Sequence, residues 1–166
     1  FHVRVQQNGA FFGLYACVEA MDGQYMERNE LDENAAWYKA FDDARYRTLS
    51  ELHNFNLVPP YYEKQNRVYE DYSDLHDLLD GVNHLSGQTR RNFLFDNLDI
   101  PGMINYLAAN CLIHNNDLTH KNYYFYRDSD GTQRWVMHPW DMDLTFGRIA
   151  TWPAPGDVLN DGIYAD

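Results

Sequence analysis

The strongest constraint on the fold lies in residues 99–147, where three kinds of pattern follow one another without a gap. Asp99 stands ahead of Pro101 and an apolar series of Met103, Ile104, Leu107, Ala108, Cys111 and Leu112. An acid before a proline is the usual start of a helix, because the side chain caps free N–H groups and proline lacks the one that would go unused. The series predicts a broad-faced helix, buried at the centre of the fold, that delivers a loop from its C-terminal end. The loop, Asn115-Asn116-Asp117-Leu118-Thr119-His120-Lys121, is polar. Two β-forming runs follow, Asn122-Tyr123-Tyr124-Phe125-Tyr126 and Arg134-Trp135-Val136-Met137-His138. Asp128-Ser129-Asp130-Gly131 sits between them and reads as a hairpin turn; it lacks the spacing of an EF-hand calcium loop.

That order brings chemistry-bearing side chains to one end of a hairpin. Asp117 precedes it, Asn122 opens it, and Asp141 and Asp143 follow its exit. An Asp and an Asn five residues apart, begun as Asp-Leu, match the spacing of a protein-kinase catalytic loop. Phosphoryl transfer needs one carboxylate to take the proton of the attacking hydroxyl, and oxygen ligands for the metal ions that bridge the phosphates. Asp117 is the candidate base, and Asn122, Asp141 and Asp143 are candidate ligands for Mg²⁺ or Mn²⁺. Two acids at i and i+2 in a strand would share a face. Lys121 is a candidate for neutralising phosphate charge. His114, His120 and His138 crowd the same region and raise a second enzyme reading, a divalent-metal hydrolase, although no dedicated zinc spacing occurs.

The segment Pro139-Trp140-Asp141-Met142-Asp143-Leu144-Thr145-Phe146-Gly147, with Asn116-Asp117, Lys121-Asn122 and Tyr126, resembles the spore coat protein H (CotH) family of atypical, secreted protein kinases. Gly13-Leu14-Tyr15, Val18-Glu19 and Trp37-Tyr38-Lys39-Ala40 are similar to it more weakly. The resemblance implies an α+β, atypical protein-kinase-like fold, ATP with Mg²⁺ or Mn²⁺ as cofactors, and serine-rich protein substrates outside the cytosol or in a spore coat. A surface or coat protein that keeps the fold for assembly or adhesion is the non-enzyme alternative. The nineteen residues from Asn122 to Asp141 exceed the ordinary kinase gap, which fits an atypical kinase.

The rest of the chain is read around that centre. His2-Val3-Arg4-Val5-Gln6 and a run from Phe11 to Glu19 flank Asn8-Gly9, which predicts a β-hairpin on the nucleotide side, with a bulge or close approach at Gly13. Glu19, at the end of its second strand, is a candidate nucleotide-side acid. Lys39 is a candidate phosphate contact, unless that lysine precedes Phe1. Asp22-Gly23 reads as a turn and residues 24–40 as mixed and polar. Residues 41–55 carry a moderate helical pattern, residues 57–62 a proline-broken linker or loop, and residues 71–85 an amphipathic helix with Tyr72, Leu75, Leu78, Leu79 and Val82 on one face. Residues 88–98 suggest a weaker helix and residues 152–156 a loop. The organisation is one partial domain, 1–166, with a β portion over 1–40 and a helical and catalytic portion over 41–166. The chain opens inside a strand-like alternation and so reads as an excerpt.

Composition narrows the function classes. Of 166 residues, 45% are hydrophobic and 16% aromatic, which suits a globular domain. A net charge of −12 argues against nucleic acid and anionic membranes as partners. No apolar run reaches the length of a membrane span. The two cysteines, Cys17 and Cys111, read as buried free thiols. Neither a Walker A motif nor G-x-G-x-x-G is present, so phosphates must be held by the hairpin, by metal or by sequence elsewhere.

Overall fold

A computed structural model describes residues 1–40, 61–115, 117 and 121–146. The predicted helix over 41–55, most of the 57–62 linker and the 152–156 loop lie outside the described residues. The protein is α+β and forms two compact units, Phe1–Glu33 and Asn34–Asp166. Among the described residues no helix is long and apolar enough to cross a membrane.

In the first unit, β1 (His2–Gln7) and β2 (Ala10–Ala16) form an antiparallel hairpin. Asn8 and Gly9 have φ of 52° and 79°, the paired positive values that a tight two-residue turn requires. The register shifts where Val5 faces Gly13 and Gln6 faces Phe11, which leaves Phe12 as the extra residue of a bulge. Gly13 also meets a close approach: a Cβ there would lie 2.8 Å from the Tyr15 ring. Asp22 does more than turn the chain. Its Oδ1 accepts from the N–H groups of Gln24 (3.0 Å) and Tyr25 (3.2 Å) and so caps a short helix, α1 (Gly23–Arg28). Glu19 does not end a strand, because β2 stops at Ala16; it ion-pairs with Arg28.

The second unit is built on a four-stranded antiparallel sheet in the order β4-β3-β5-β6, comprising β3 (Ala36–Ala40), β4 (Tyr62–Lys64), β5 (Tyr123–Arg127) and β6 (Trp135–Pro139). The stretch read as polar therefore contributes a central strand, whose Ala36, Trp37, Tyr38 and Ala40 are buried. One face carries Tyr38, Tyr62, Tyr123 and Trp135 and packs on Leu75, Leu78 and Leu79 of α2 (Ser73–His84), the helix predicted over 71–85. Phe93 of α3 (Gly87–Asn97) covers this cluster and lies against Gly81, where any side chain would overlap its ring. Lys64 is buried at the sheet end. Its Nζ donates to the Asp71 carbonyl at 2.7 Å, lies 3.5 Å from the Glu70 carboxylate and sits over the Tyr38 ring.

The helix predicted to be central, α4 (Ile100–Leu112), is not buried as expected. It packs on the edge strand β6, so only the stripe at Tyr106 and Asn110 is enclosed, while Ile104, Leu107 and Leu112 are exposed. For the same reason Cys111 is exposed; Cys17 lies beyond the end of β2 and is exposed too, so both thiols are free but neither is buried.

The Tyr62 and Tyr123 hydroxyls meet at 2.8 Å inside the core. Removing one leaves the other buried without that partner, which typically costs about 1–3 kcal/mol, whereas removing both can be nearly neutral. Tyr62→Phe and Tyr123→Phe should each destabilise the protein by that amount, and the double variant by clearly less than the sum. Denaturant titration of the four proteins measures the coupling, and strict additivity would contradict it.

Candidate active site

The site begins at the end of α4. Asp99 Oδ1 accepts from Gly102 N–H at 3.2 Å, and Pro101 occupies the first turn, so the helix starts as the sequence predicts. Its start is fixed to the hairpin: Asp99 N–H donates to the Trp135 carbonyl at 2.9 Å. A Cβ on Gly102 would come within 2.9 Å of Val136 Cγ2, so only glycine permits this approach of helix and strand. At the other end His114 takes φ of 50°. Its N–H donates to the Cys111 carbonyl (3.1 Å), and Asn115 N–H donates to the Asn110 carbonyl (3.0 Å). This is the Schellman closure, made here with histidine where glycine is usual.

From that closure a relay of amides runs to the acids. Asn110 Nδ2 donates to the Tyr106 carbonyl at 2.8 Å. Asn115 Nδ2 donates to Asn110 Oδ1 at 2.7 Å, and Asn115 Oδ1 accepts the N–H of Asp117 at 3.0 Å. Asn122 Nδ2 donates to Asp117 Oδ2 at 2.7 Å. The carbonyl of Asn122 accepts from Trp140 N–H at 3.0 Å, at the exit of the hairpin. Asn110, Asn115 and Asn122 are all buried, at 1%, 0% and 4% exposure, so these bonds are made away from water, where leaving them unmade is expensive. Asp117 itself is half-buried.

The predicted hairpin carries this geometry. Its turn is ordinary: Asp128 accepts from Thr132 N–H at 2.6 Å through its side chain and from Gln133 N–H at 2.8 Å through its carbonyl. Asp141 and Asp143 do not lie in a strand, so the alternation expected to align them does not apply. β6 ends at Pro139, and Asp141 takes φ of 51°, which turns the chain. The turn folds back on the helix, with Phe146 N–H donating to the Ile113 carbonyl at 2.7 Å and Thr145 Oγ1 to the Met142 carbonyl at 3.0 Å. Four of the eight non-glycine positive-φ residues described, His114, Asn122, Asp141 and Phe146, belong to the helix end and these loops. Such strain persists only where the surroundings hold it, and it gathers at functional sites.

The acids feel one another. Asp141 is exposed as a residue, but partial desolvation raises the pKa of its carboxyl, and the neighbouring Asp143 and Asp117 raise it further while Lys121 opposes them. Asp117, Lys121, Asp141 and Asp143 thus act within one electrostatic neighbourhood. Lys39 lies over Trp140, the residue before Asp141, with Nζ 5.1 Å from the centre of its ring, and Trp140 is edge-on to Tyr124. Glu19 belongs to the first compact unit. Of the three histidines, His138 is half-buried against Tyr126, and burial holds its pKa below the ordinary value. His120 lies outside the described residues. Among the described residues no group of three or more His, Cys, Asp or Glu side chains could hold a metal ion. Two carboxylates and one amide oxygen are a smaller set, suited to Mg²⁺, which keeps several waters and takes phosphate oxygens as further ligands.

Asn110 and Asn115 were not among the residues singled out by sequence. An Asn in the midst of an apolar helical run, and a second Asn before Asn116-Asp117, are the signals that point to them.

A carboxyl whose pKa is higher in the folded protein than in the unfolded chain favours folding below its unfolded value and loses that contribution as pH rises through the folded one. Charged Asp141 therefore costs stability at neutral pH. Asp141→Asn should raise the melting temperature of the metal-free protein at pH 7, and the gain should shrink as pH falls toward 4. Thermal melts across that range check it; a variant less stable at pH 7 would contradict the assignment.

No curated protein matches the chain. The family described as CotH kinase protein matches residues 1–163. A match over nearly the whole length, including every site residue named above, shows that the chain belongs to the CotH kinase family.

Proposed function

We propose that this protein is a metal-dependent protein kinase that transfers the γ-phosphoryl of ATP to Ser or Thr hydroxyls of protein substrates, serine-rich and of extracytoplasmic or spore-coat type. Family membership suggests a kinase-like role. The observation that carries the finer reading is the direct bond from Asn122 to Asp117, joined to the field that Asp117, Lys121 and Asp143 exert at Asp141. Base, amide and acids fall in one neighbourhood although up to 26 residues separate them.

Asp117 is the proposed base: its carboxylate accepts the proton of the attacking hydroxyl. The hydrogen bond from Asn122 Nδ2 orients that carboxylate, and the oxygen end of the same amide is a hard ligand. Asp141, with Asp143 as second ligand or support, would complete the metal-binding set. Bound Mg²⁺ or Mn²⁺ supplies neutralisation of the phosphate charge. Lys121, which already offsets the negative field at Asp141, is placed in sequence and charge to neutralise phosphate in the transition state. Lys39 and Glu19 are the proposed nucleotide-side contacts, on an atypical kinase-like fold whose β portion spans residues 1–40. The alternative is a non-catalytic coat or surface assembly protein on this fold. ATP-dependent thermal stabilisation with and without Mg²⁺ separates the two, since an assembly module should show none.

Two substitutions separate the roles. Asp117→Asn should keep the fold and ATP–Mg²⁺ binding but lose about 10²–10⁴ in transfer rate, because the amide cannot take the proton. Asp141→Asn should lose nucleotide affinity along with rate, and excess Mg²⁺ or Mn²⁺ should partly restore both. Autophosphorylation and nucleotide binding across a metal titration check the contrast. Near wild-type transfer by Asp117→Asn would remove it as the base.

A further inference from the structure

We infer that Asn115 is a positioning residue that holds the base loop and the Asp141–Asp143 segment in a single arrangement; this rests on the roles proposed above for Asp117 and Asp141. Three segments meet at this one side chain. Its Oδ1 accepts the N–H of Asp117 at 3.0 Å. Its Nδ2 donates to Asn110 Oδ1 at 2.7 Å, which anchors it to α4, and to Met142 Sδ at 3.4 Å. Met142 lies between the two candidate ligands. Asn115 is wholly buried, yet it is no member of the hydrophobic cluster that holds the sheet to α2. Through Asn110 it is tied to Tyr106 at the edge of that cluster, and through Asp117 N–H and Met142 to the segments that carry the acids.

The amide is chemically particular here. A primary amide offers one acceptor oxygen and two N–H donors from one planar group. Asn115 uses the acceptor on the base loop and the donors on the helix and on Met142. An ionised carboxylate has no donor, and an isosteric hydrocarbon has neither. The thioether is a weak acceptor, so this contact adds little stability alone; it seats Met142 against the amide that also holds Asp117. A misplacement of about 1 Å in a reacting constellation can cost about 10² in rate.

The experiment compares Asn115→Leu and Met142→Leu with wild type by hydrogen exchange and by kinetics. In Asn115→Leu, exchange should accelerate by about tenfold or more in the peptides carrying Asp117 and Asp141–Asp143, with β5 and β6 unchanged. Transfer rate should fall by about 10–10² and the Mg²⁺ needed for half-maximal rate should rise. In an Asp117→Asn background at saturating Mg²⁺ the further rate loss should be under about twofold, because the part of the Asn115 effect that passes through Asp117 is already gone. Exchange that rises throughout the second unit, or a rate loss that adds fully to that of Asp117→Asn, would make Asn115 a merely structural residue and overturn the inference. If Asn115→Leu does not fold, Met142→Leu decides. It conserves volume and should loosen only the Asp141–Asp143 peptide while raising the Mg²⁺ requirement; no change in either overturns the inference. A wild-type protein without transfer or nucleotide binding would sink the kinase proposal, and hydrogen exchange would still decide the role of Asn115.

Discussion

The arrangement of the site depends on one buried amide pair. Asn115 and Asn110, at 0% and 1% exposure, bond to each other through both backbone and side chain. Each polar group taken from water must be met by another, or the fold loses about 1–3 kcal/mol per group. That requirement makes the helix end, Asp117 and the hairpin exit mutually dependent. The helix presents carbonyls, Asn115 translates them into a side-chain acceptor, and Asp117 receives its place through its backbone N–H. Asn122 then closes on Asp117 from the hairpin side, and its carbonyl receives Trp140. No single element fixes Asp117; the chain of hydrogen bonds does. Such a relay gives an all-or-none geometry, because a half-satisfied buried network is worse than none.

The same demand explains the backbone strain. Left-handed conformation at His114, Asn122, Asp141 and Phe146 costs free energy at each non-glycine position. Asparagine bears it best, since its short side chain bonds locally. The acids add an electrostatic cost, already visible in the raised carboxyl of Asp141, on a chain carrying −12. Perturbed carboxyls of this kind gather at functional sites.

Sequence patterns revealed elements whose local chemistry is self-sufficient. The Asn8-Gly9 hairpin, the amphipathic helix ending at His84, the Asp99–Pro101 helix start and the β5–β6 hairpin each carry their own turn or periodicity, and each stands where it was expected. Patterns failed where tertiary context decides. α4 is apolar enough to be central, but its position against an edge strand leaves most of that apolar surface in contact with solvent. β3 lacks alternation because both of its faces are buried, and a buried strand reads as a continuous run. Asp141 and Asp143 could be named as a pair from sequence, but the turn that places them depends on a positive φ after Pro139, which no periodicity announces. The relay itself was illegible because Asn110 and Asn115 gain meaning only when the helix end curls back.

The seam between α3 and α4 has a bearing on how copies of this protein can meet. Leu98 bridges to Trp135 in parallel, and Asp99 donates to the carbonyl of the same residue. The outer edge of β6 is thereby partly occupied by the chain's own backbone, while the opposite edge strand, β4, is only three residues long. Free strand edges are the usual templates on which proteins add to one another or to extended peptides. With one margin partly filled and the other cut short, the four-stranded sheet is a poor template for lateral growth. Backbone pairing between copies would fall instead to the open edges of the β1–β2 hairpin.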